Sequence, residues 1–99
     1  NLPIPPNSDI SVYQPAFKKE VLPFLSNFQP DLLIVSAGYD ANLEDPLAQM
    51  NLQPQDYGLF TQYFLTVTPK IVFGLEGGYD LSALSESVLA TVESVISEQ

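Results

Sequence analysis

The sequence predicts an α/β domain, a partial parallel sheet of two to three strands joined by crossover helices. Three observations carry this. Leu32-Leu33-Ile34-Val35 and Ile71-Val72-Phe73 are apolar runs of strand length, each trailed closely by glycine. Around them, apolar residues recur at helical spacing. The two kinds of segment alternate along the chain, the order that right-handed strand–helix–strand units require.

Taken in order, Asn1 to Ile4 reads as a short strand, confined by Pro3 to an edge or a strand start. Pro5 to Asp9 is turn material, with Ser8 or Asp9 placed to cap a helix. Tyr13, Phe17, Val21, Phe24, Leu25 and Phe28 then form one apolar stripe, predicting that helix over about 11–28. Pro15 suits its first turn. Pro23 removes a donor and crowds the carbonyl of Lys19, so a kink or break is expected there. Pro30 closes the segment. Asp31 to Ala37 comes next as a strand, and its unbroken apolar run favours cover on both faces.

Gly38 to Pro54 is a long connection, a length often tied to function. A second helix fits about Gln55–Val67, with Tyr57, Phe60, Phe64 and Val67 on one side. Lys70 to Leu75 is the next strand, broken by Gly77-Gly78. Leu81, Leu84, Val88, Val92, Val95 and Ile96 predict a final amphipathic helix running to about Glu98. A sheet this thin leaves apolar edges for something else to cover.

Composition narrows the function classes. Twelve acidic residues face three lysines and no arginine, a net charge of −9. Nucleic-acid affinity comes largely from Lys and Arg neutralising phosphates, so no nucleic-acid partner is expected. An acidic surface favours solubility and would steer a cationic substrate such as a lysine tail or a polyamine. The lack of cysteine removes disulfides and thiolate zinc sites and is compatible with a cytoplasmic protein. No apolar run approaches the ~20 residues needed to cross a bilayer, so no membrane partner is expected. The start, Asn1-Leu2-Pro3-Ile4-Pro5-Pro6, has no cationic leader pattern and begins as a cut piece or processed product would.

Two runs carry the chemistry, Ser36-Ala37-Gly38-Tyr39-Asp40 and Leu75-Glu76-Gly77-Gly78-Tyr79. Each leaves the carboxyl end of a strand, where ligands gather in open parallel sheets. Asp40, placed just past a strand by the turn at Gly38, suits a divalent ion; it equally suits an Asx turn or a cap for a helical turn near Ala41. Tyr79, freed by Gly77 and Gly78, can donate to an oxyanion; it can also simply pack at a helix start, with Asp80 as cap. Glu76 is a second rim carboxylate or an acceptor for loop amides. An Asp40–Glu76 pair would suit magnesium and a phosphoryl-transfer or phosphoacceptor domain. Against that, no Gly-x-x-x-x-Gly-Lys loop is present, and Lys70 precedes its strand, at the opposite edge from Asp40.

The run from Phe28-Gln29-Pro30-Asp31 through Asp40-Ala41 to Asp45-Pro46-Leu47 resembles the second zinc-ligand segment of the zinc-dependent histone deacetylase and acetylpolyamine amidohydrolase family. Leu75 to Tyr79 resembles its catalytic-tyrosine segment, and Asn1-Leu2-Pro3-Ile4 with the helix reaching Val21-Leu22-Pro23 resembles the preceding stretch. The resemblance implies that residues 1–99 are a single incomplete α/β unit, the C-terminal part of an arginase/deacetylase-type catalytic domain. It implies zinc as cofactor, Asp40 as one metal ligand, Tyr79 as the catalytic hydrogen-bond donor, and Gly77 and Gly78 as shapers of the substrate loop. Asn42 stands where many bacterial members have histidine, a position that is not a ligand in the family.

The family's other two ligands, an Asp and a His from an Asp-x-His segment, and its His-His pair lie upstream. This chain has no histidine. The remainder of the catalytic domain or a companion chain would therefore have to supply them, for an acetylated lysine or polyamine substrate. The isolated chain is expected to bind zinc weakly and to deacetylate nothing. A non-catalytic binding or scaffold domain derived from the same family is the other reading.

Overall fold

Pro23 sets the shape of the first helical segment. In a computed structural model of the chain, which describes residues 1–46 and 48–97, α1 (Ile10–Ala16) runs into a π-helical turn (Phe17–Val21) and then α2 (Leu22–Phe28). Pro23 has no N–H to give Lys19, and the backbone widens in the preceding turn, where the Leu22 amide donates five residues back to Phe17. The expected break is therefore present as a π turn. Asp9 is the cap, accepting from the Ser11 amide at 2.9 Å, while Ser8 donates to the Pro5 carbonyl. With the helix starting at Ile10, Pro15 falls inside α1 rather than in its first turn. Gln29, at φ 55°, closes α2 in the left-handed region just before Pro30.

Among the described residues the sheet has two strands, β1 (Leu33–Ala37) and β2 (Ile71–Leu75), paired in parallel with Leu33 opposite Ile71 and Ala37 opposite Leu75. Asn1 to Ile4 does not form the expected third strand. Between β1 and β2 the chain crosses over through α3 (Pro54–Val67), and β2 leads into α4 (Leu81–Ser97). Pro54 opens α3, and the Asp56 carboxylate closes its first turn by accepting the Gln53 amide at 2.8 Å. The expected end of α4, Glu98, lies outside the described residues.

The helices cover one face of the sheet. Val35 and Ala37 look towards Tyr13, Phe17, Tyr57 and Phe60, and Phe17 stacks on Phe60 with ring centroids 4.4 Å apart. The buried core is Tyr39, Leu52, Tyr57 and Phe60. The opposite face is bare: Ile34 is 70% exposed and Val72 51%. The unbroken apolar run of β1 predicts cover on both faces; the described residues supply one covering layer, so burial alternates along the strand.

The apolar stripe of α4 is divided. Leu84 packs against the core, but the buried residues of the helix are Ala83, Ser87, Thr91 and Ser94, while Leu81, Val88, Val92 and Ile96 are exposed. Two contacts explain why a polar stripe is buried. Gly58 lets α3 approach closely, since a Cβ there would lie 2.9 Å from Ser94 Oγ and 3.2 Å from the Ala90 carbonyl. The buried hydroxyls also have partners on the loop after β1: Thr91 Oγ1 lies 3.1 Å from Tyr39 OH, and Ser87 Oγ accepts from Asn42 Nδ2 at 3.0 Å. Hydrogen bonding makes burial of that polar stripe tolerable. Val88, Val92 and Ile96 instead line a shallow apolar groove beside Ile71, Phe73 and Leu75.

Candidate functional site

Because the strands are parallel and in register, the loops that leave their carboxyl ends start from one edge. Pairing continues past both strand ends: the Glu76 amide donates to Ala37 at 2.9 Å, and the Tyr39 amide donates to Gly77 at 2.7 Å. The first of these loops therefore runs against the second, and alternation then sends neighbouring side chains apart. Tyr39 goes inward to Thr91 and Tyr57.

Asp40 meets Gly77. A Cβ added at Gly77 would lie 3.0 Å from Asp40 Oδ2 and 3.1 Å from its Cγ. The carboxylate thus occupies space that any other residue would fill. Among the described residues it accepts no hydrogen bond, so neither an Asx turn nor a helical cap accounts for it. Its neighbours differ. Asp80 Oδ2 accepts the Ala83 amide at 2.9 Å and caps α4, Asp45 Oδ2 accepts the Tyr79 amide at 2.8 Å, and Glu76 Oε1 accepts from Ser36 Oγ at 2.8 Å rather than from loop amides. Asp40 is a partly buried carboxylate with its acceptor oxygens uncommitted, which fits a metal ligand.

Asp40 also acts at a distance. Burial raises the Tyr57 phenol well above its ordinary value, and the Asp40 charge adds to the rise, while the Ala41 backbone pulls weakly the other way without making a hydrogen bond of full geometry. Tyr13 shifts in the same direction for the same two reasons.

Tyr79 is held by its backbone. Gly78 sits at φ +144°, and a Cβ there would lie 2.8 Å from Leu84 Cδ1. That position admits glycine and little else. The Tyr79 amide is tied to Asp45, and α4 starts two residues later behind the Asp80 cap. The Tyr79 side chain is 56% exposed on the rim.

The sequence singles out Asp40, Gly77, Gly78 and Tyr79, and the fold gathers their backbones at one edge. The sequence carries no sign of what Asp45 and Asn42 do. Asn42 is buried, and its Nδ2 bridges the Tyr39 carbonyl at 2.8 Å and Ser87 Oγ. Polar letters in a long loop carry no signal of such bonds. Leu47, the last residue of the resembling Asp45-Pro46-Leu47 run, lies outside the described residues. Among the described residues no three His, Cys, Asp or Glu side chains come together as a metal site, and no helix is long and apolar enough to cross a membrane.

Residues 1–95 match the histone deacetylase domain. The chain is 53% identical over 96 residues to the uncharacterized protein slr0245 of Synechocystis, covering 97% of this chain and 32% of that protein. It is 37% identical over 87 residues to the human polyamine deacetylase HDAC10, covering 87% and 13%. Among solved structures, the histone deacetylase Clr3 superposes with a TM-score of 0.90 at 36% identity, over 94% of this chain and 16% of that one. The chain thus spans a third or less of the length of these relatives. The likeness in fold confirms the expected arrangement of strands and crossover helices, and the match along nearly the whole sequence means that the chain belongs to the histone deacetylase family.

Proposed function

We propose that residues 1–99 form the C-terminal portion of a zinc-dependent deacetylase catalytic domain, with Asp40 as one zinc ligand and Tyr79 as the donor to the reacting carbonyl. The observation that carries this is the seat of the uncommitted Asp40 carboxylate on Gly77, two residues before Tyr79. A ligand and a donor are thereby delivered to one rim by two strands. The remaining ligands, an Asp and a His, and the histidines that move protons come from the rest of the domain or from a companion chain.

Zinc, when bound, supplies Lewis-acid polarisation of the acetyl carbonyl and an acidified water. Asp40 would hold the metal through its carboxylate, whose position is set by Gly77 beneath it. The Tyr79 hydroxyl donates a hydrogen bond to the amide oxygen as negative charge builds there, and it benefits from being placed in advance. Gly78 holds the tyrosine backbone in a conformation that aims the phenol from the rim. Acetylated lysine or an acetylated polyamine is the substrate class, and the net negative charge favours approach of either cation.

The test is the native polypeptide carrying this chain, loaded with zinc and assayed on an acetyl-lysine peptide and on an acetylpolyamine. Tyr79→Phe is expected to lower kcat about 10²–10³-fold, the typical effect of removing one oxyanion donor. Asp40→Asn is expected to lose most of the bound zinc. A parent inactive on both substrates, or a Tyr79→Phe variant as fast as the parent, overturns the reading.

A further inference from the structure

We infer that Asp45 is a positioning residue for Tyr79, tying the donor to the same loop that carries the proposed metal ligand. The inference rests on the role proposed above for Tyr79. The buried Asp45 carboxylate accepts the Tyr79 amide at 2.8 Å across 34 positions of sequence. Tyr79 has its side chain more than half exposed, so the aim of the phenol depends on where the backbone holds its Cα. Two constraints act on that backbone. Gly78 fixes the entry at φ +144°, and the hydrogen bond to Asp45 fixes the next amide along the chain.

The acceptor is itself anchored. The Asp45 amide donates to the Asn42 carbonyl at 3.1 Å, and Asn42 is pinned by Nδ2 to the Tyr39 carbonyl and to Ser87 on α4. One loop therefore carries Asp40 near its start and, further along, the clamp on Tyr79. Ligand and donor move together, if they move at all. A charged acceptor makes this bond stronger than a neutral one would, and a buried carboxylate holds its donor tightly. Asp45 touches no reacting atom in this scheme; its effect on the reaction runs through Tyr79.

A role exercised only through another residue is separable by a double-variant cycle. In the native zinc-loaded polypeptide, assayed on an acetyl-lysine peptide, Asp45→Ala is expected to lower kcat about 10–100-fold, the usual effect of loosening an aligned group. KM should change little. Asp45→Asn, which keeps one acceptor oxygen, should fall between Asp45→Ala and the parent. The double variant Asp45→Ala with Tyr79→Phe should be no slower than Tyr79→Phe alone, because the residue Asp45 acts through is already disabled. A merely structural Asp45 would slow the Tyr79→Phe background by the same factor as the parent, and that outcome overturns the inference. So does an Asp45→Ala variant with parental kcat while Tyr79→Phe is slow. If Tyr79→Phe itself is as fast as the parent, the underlying reading fails and the inference goes with it. Should Asp45→Ala not fold, Asp45→Ser takes its place in the same cycle, its short hydroxyl stopping short of the Tyr79 amide.

Discussion

The carboxylate of Asp40 rests on the Cα of Gly77, with 3.0 Å from Oδ2 to where a Cβ would stand. The two residues belong to different strand-end loops, yet each is a condition of the other's placement. The contact arises from parallel register: once Ala37 pairs with Leu75, the next residues of both loops must meet.

Gly77→Ala is therefore expected to displace the Asp40 carboxylate by a few tenths of an ångström. In the native polypeptide this should weaken zinc binding and lower kcat about 10–100-fold, as disturbing a ligand's support commonly does. Gly74→Ala is the control. It lies in β2 with nothing nearer than the Val35 carbonyl at 4.0 Å, and stability should change by no more than about 0.5 kcal/mol. Chelator competition and steady-state rates check both. Parental zinc affinity in Gly77→Ala would contradict the geometry.

Gly78→Ala should act on folding as well as on rate. Both its φ of +144° and the 2.8 Å approach to Leu84 Cδ1 oppose a side chain. The expected destabilisation is about 1–3 kcal/mol, read as a lower denaturant midpoint. Adding Leu84→Ala should not restore the parental midpoint, because the backbone conformation is still unfavourable for alanine and a packing contact is lost as well.

Much of the fold is legible in the letters, for physical reasons. Pro23 announces a helix irregularity because it lacks a donor, and the Gly-Gly pair announces a conformation that few residues adopt. Apolar runs trailed by glycine place both rim segments correctly. The α4 stripe misleads because burial there is decided by partners rather than hydropathy: Gly58 admits Ser94, and Asn42 and Tyr39 satisfy Ser87 and Thr91. The outer face of β1 misleads for a related reason. An unbroken apolar run shows that both faces need cover, not that the same chain provides it. The role of Asp45 is invisible because the Tyr79 amide it accepts lies on another loop, and only the fold brings them together.

The bare outer face of the sheet bears on how the chain behaves by itself. Ile34 and Val72 on the sheet, Leu32 just before β1, and Phe24 and Phe28 on α2 are all at least half exposed. Apolar surface on this scale drives association. The isolated 99 residues are expected to self-associate in sedimentation equilibrium, and Ile34→Ser with Val72→Thr should shift them towards monomer. The same preparation should take up no stoichiometric zinc in a calorimetric titration, since one carboxylate does not make a catalytic site that normally needs three protein ligands. Tight one-to-one zinc binding would show that the chain holds ligands beyond Asp40.

Tyr57 gives a prediction in pH. Its ordinary value is 10.0, and burial first, then the Asp40 charge, raises it in the fold. Up to about pH 10 the phenol is neutral in both folded and unfolded states, so its contribution to stability is fully present and flat with pH. Above that, the unfolded chain releases the proton while the folded chain keeps it, and the native state loses stability at up to about 1.4 kcal/mol per pH unit until the folded group also titrates. Tyr13 contributes in the same direction. Urea midpoints of the native polypeptide, taken at intervals above pH 10, should therefore fall, and Tyr57→Phe should flatten the decline without abolishing it. At neutral pH that variant should be as stable as the parent or slightly more so, because the buried hydroxyl it removes has no hydrogen-bond partner among the described residues. An unchanged slope in Tyr57→Phe would mean that the phenol is not shielded as the packing of Tyr39, Phe60 and Tyr57 implies.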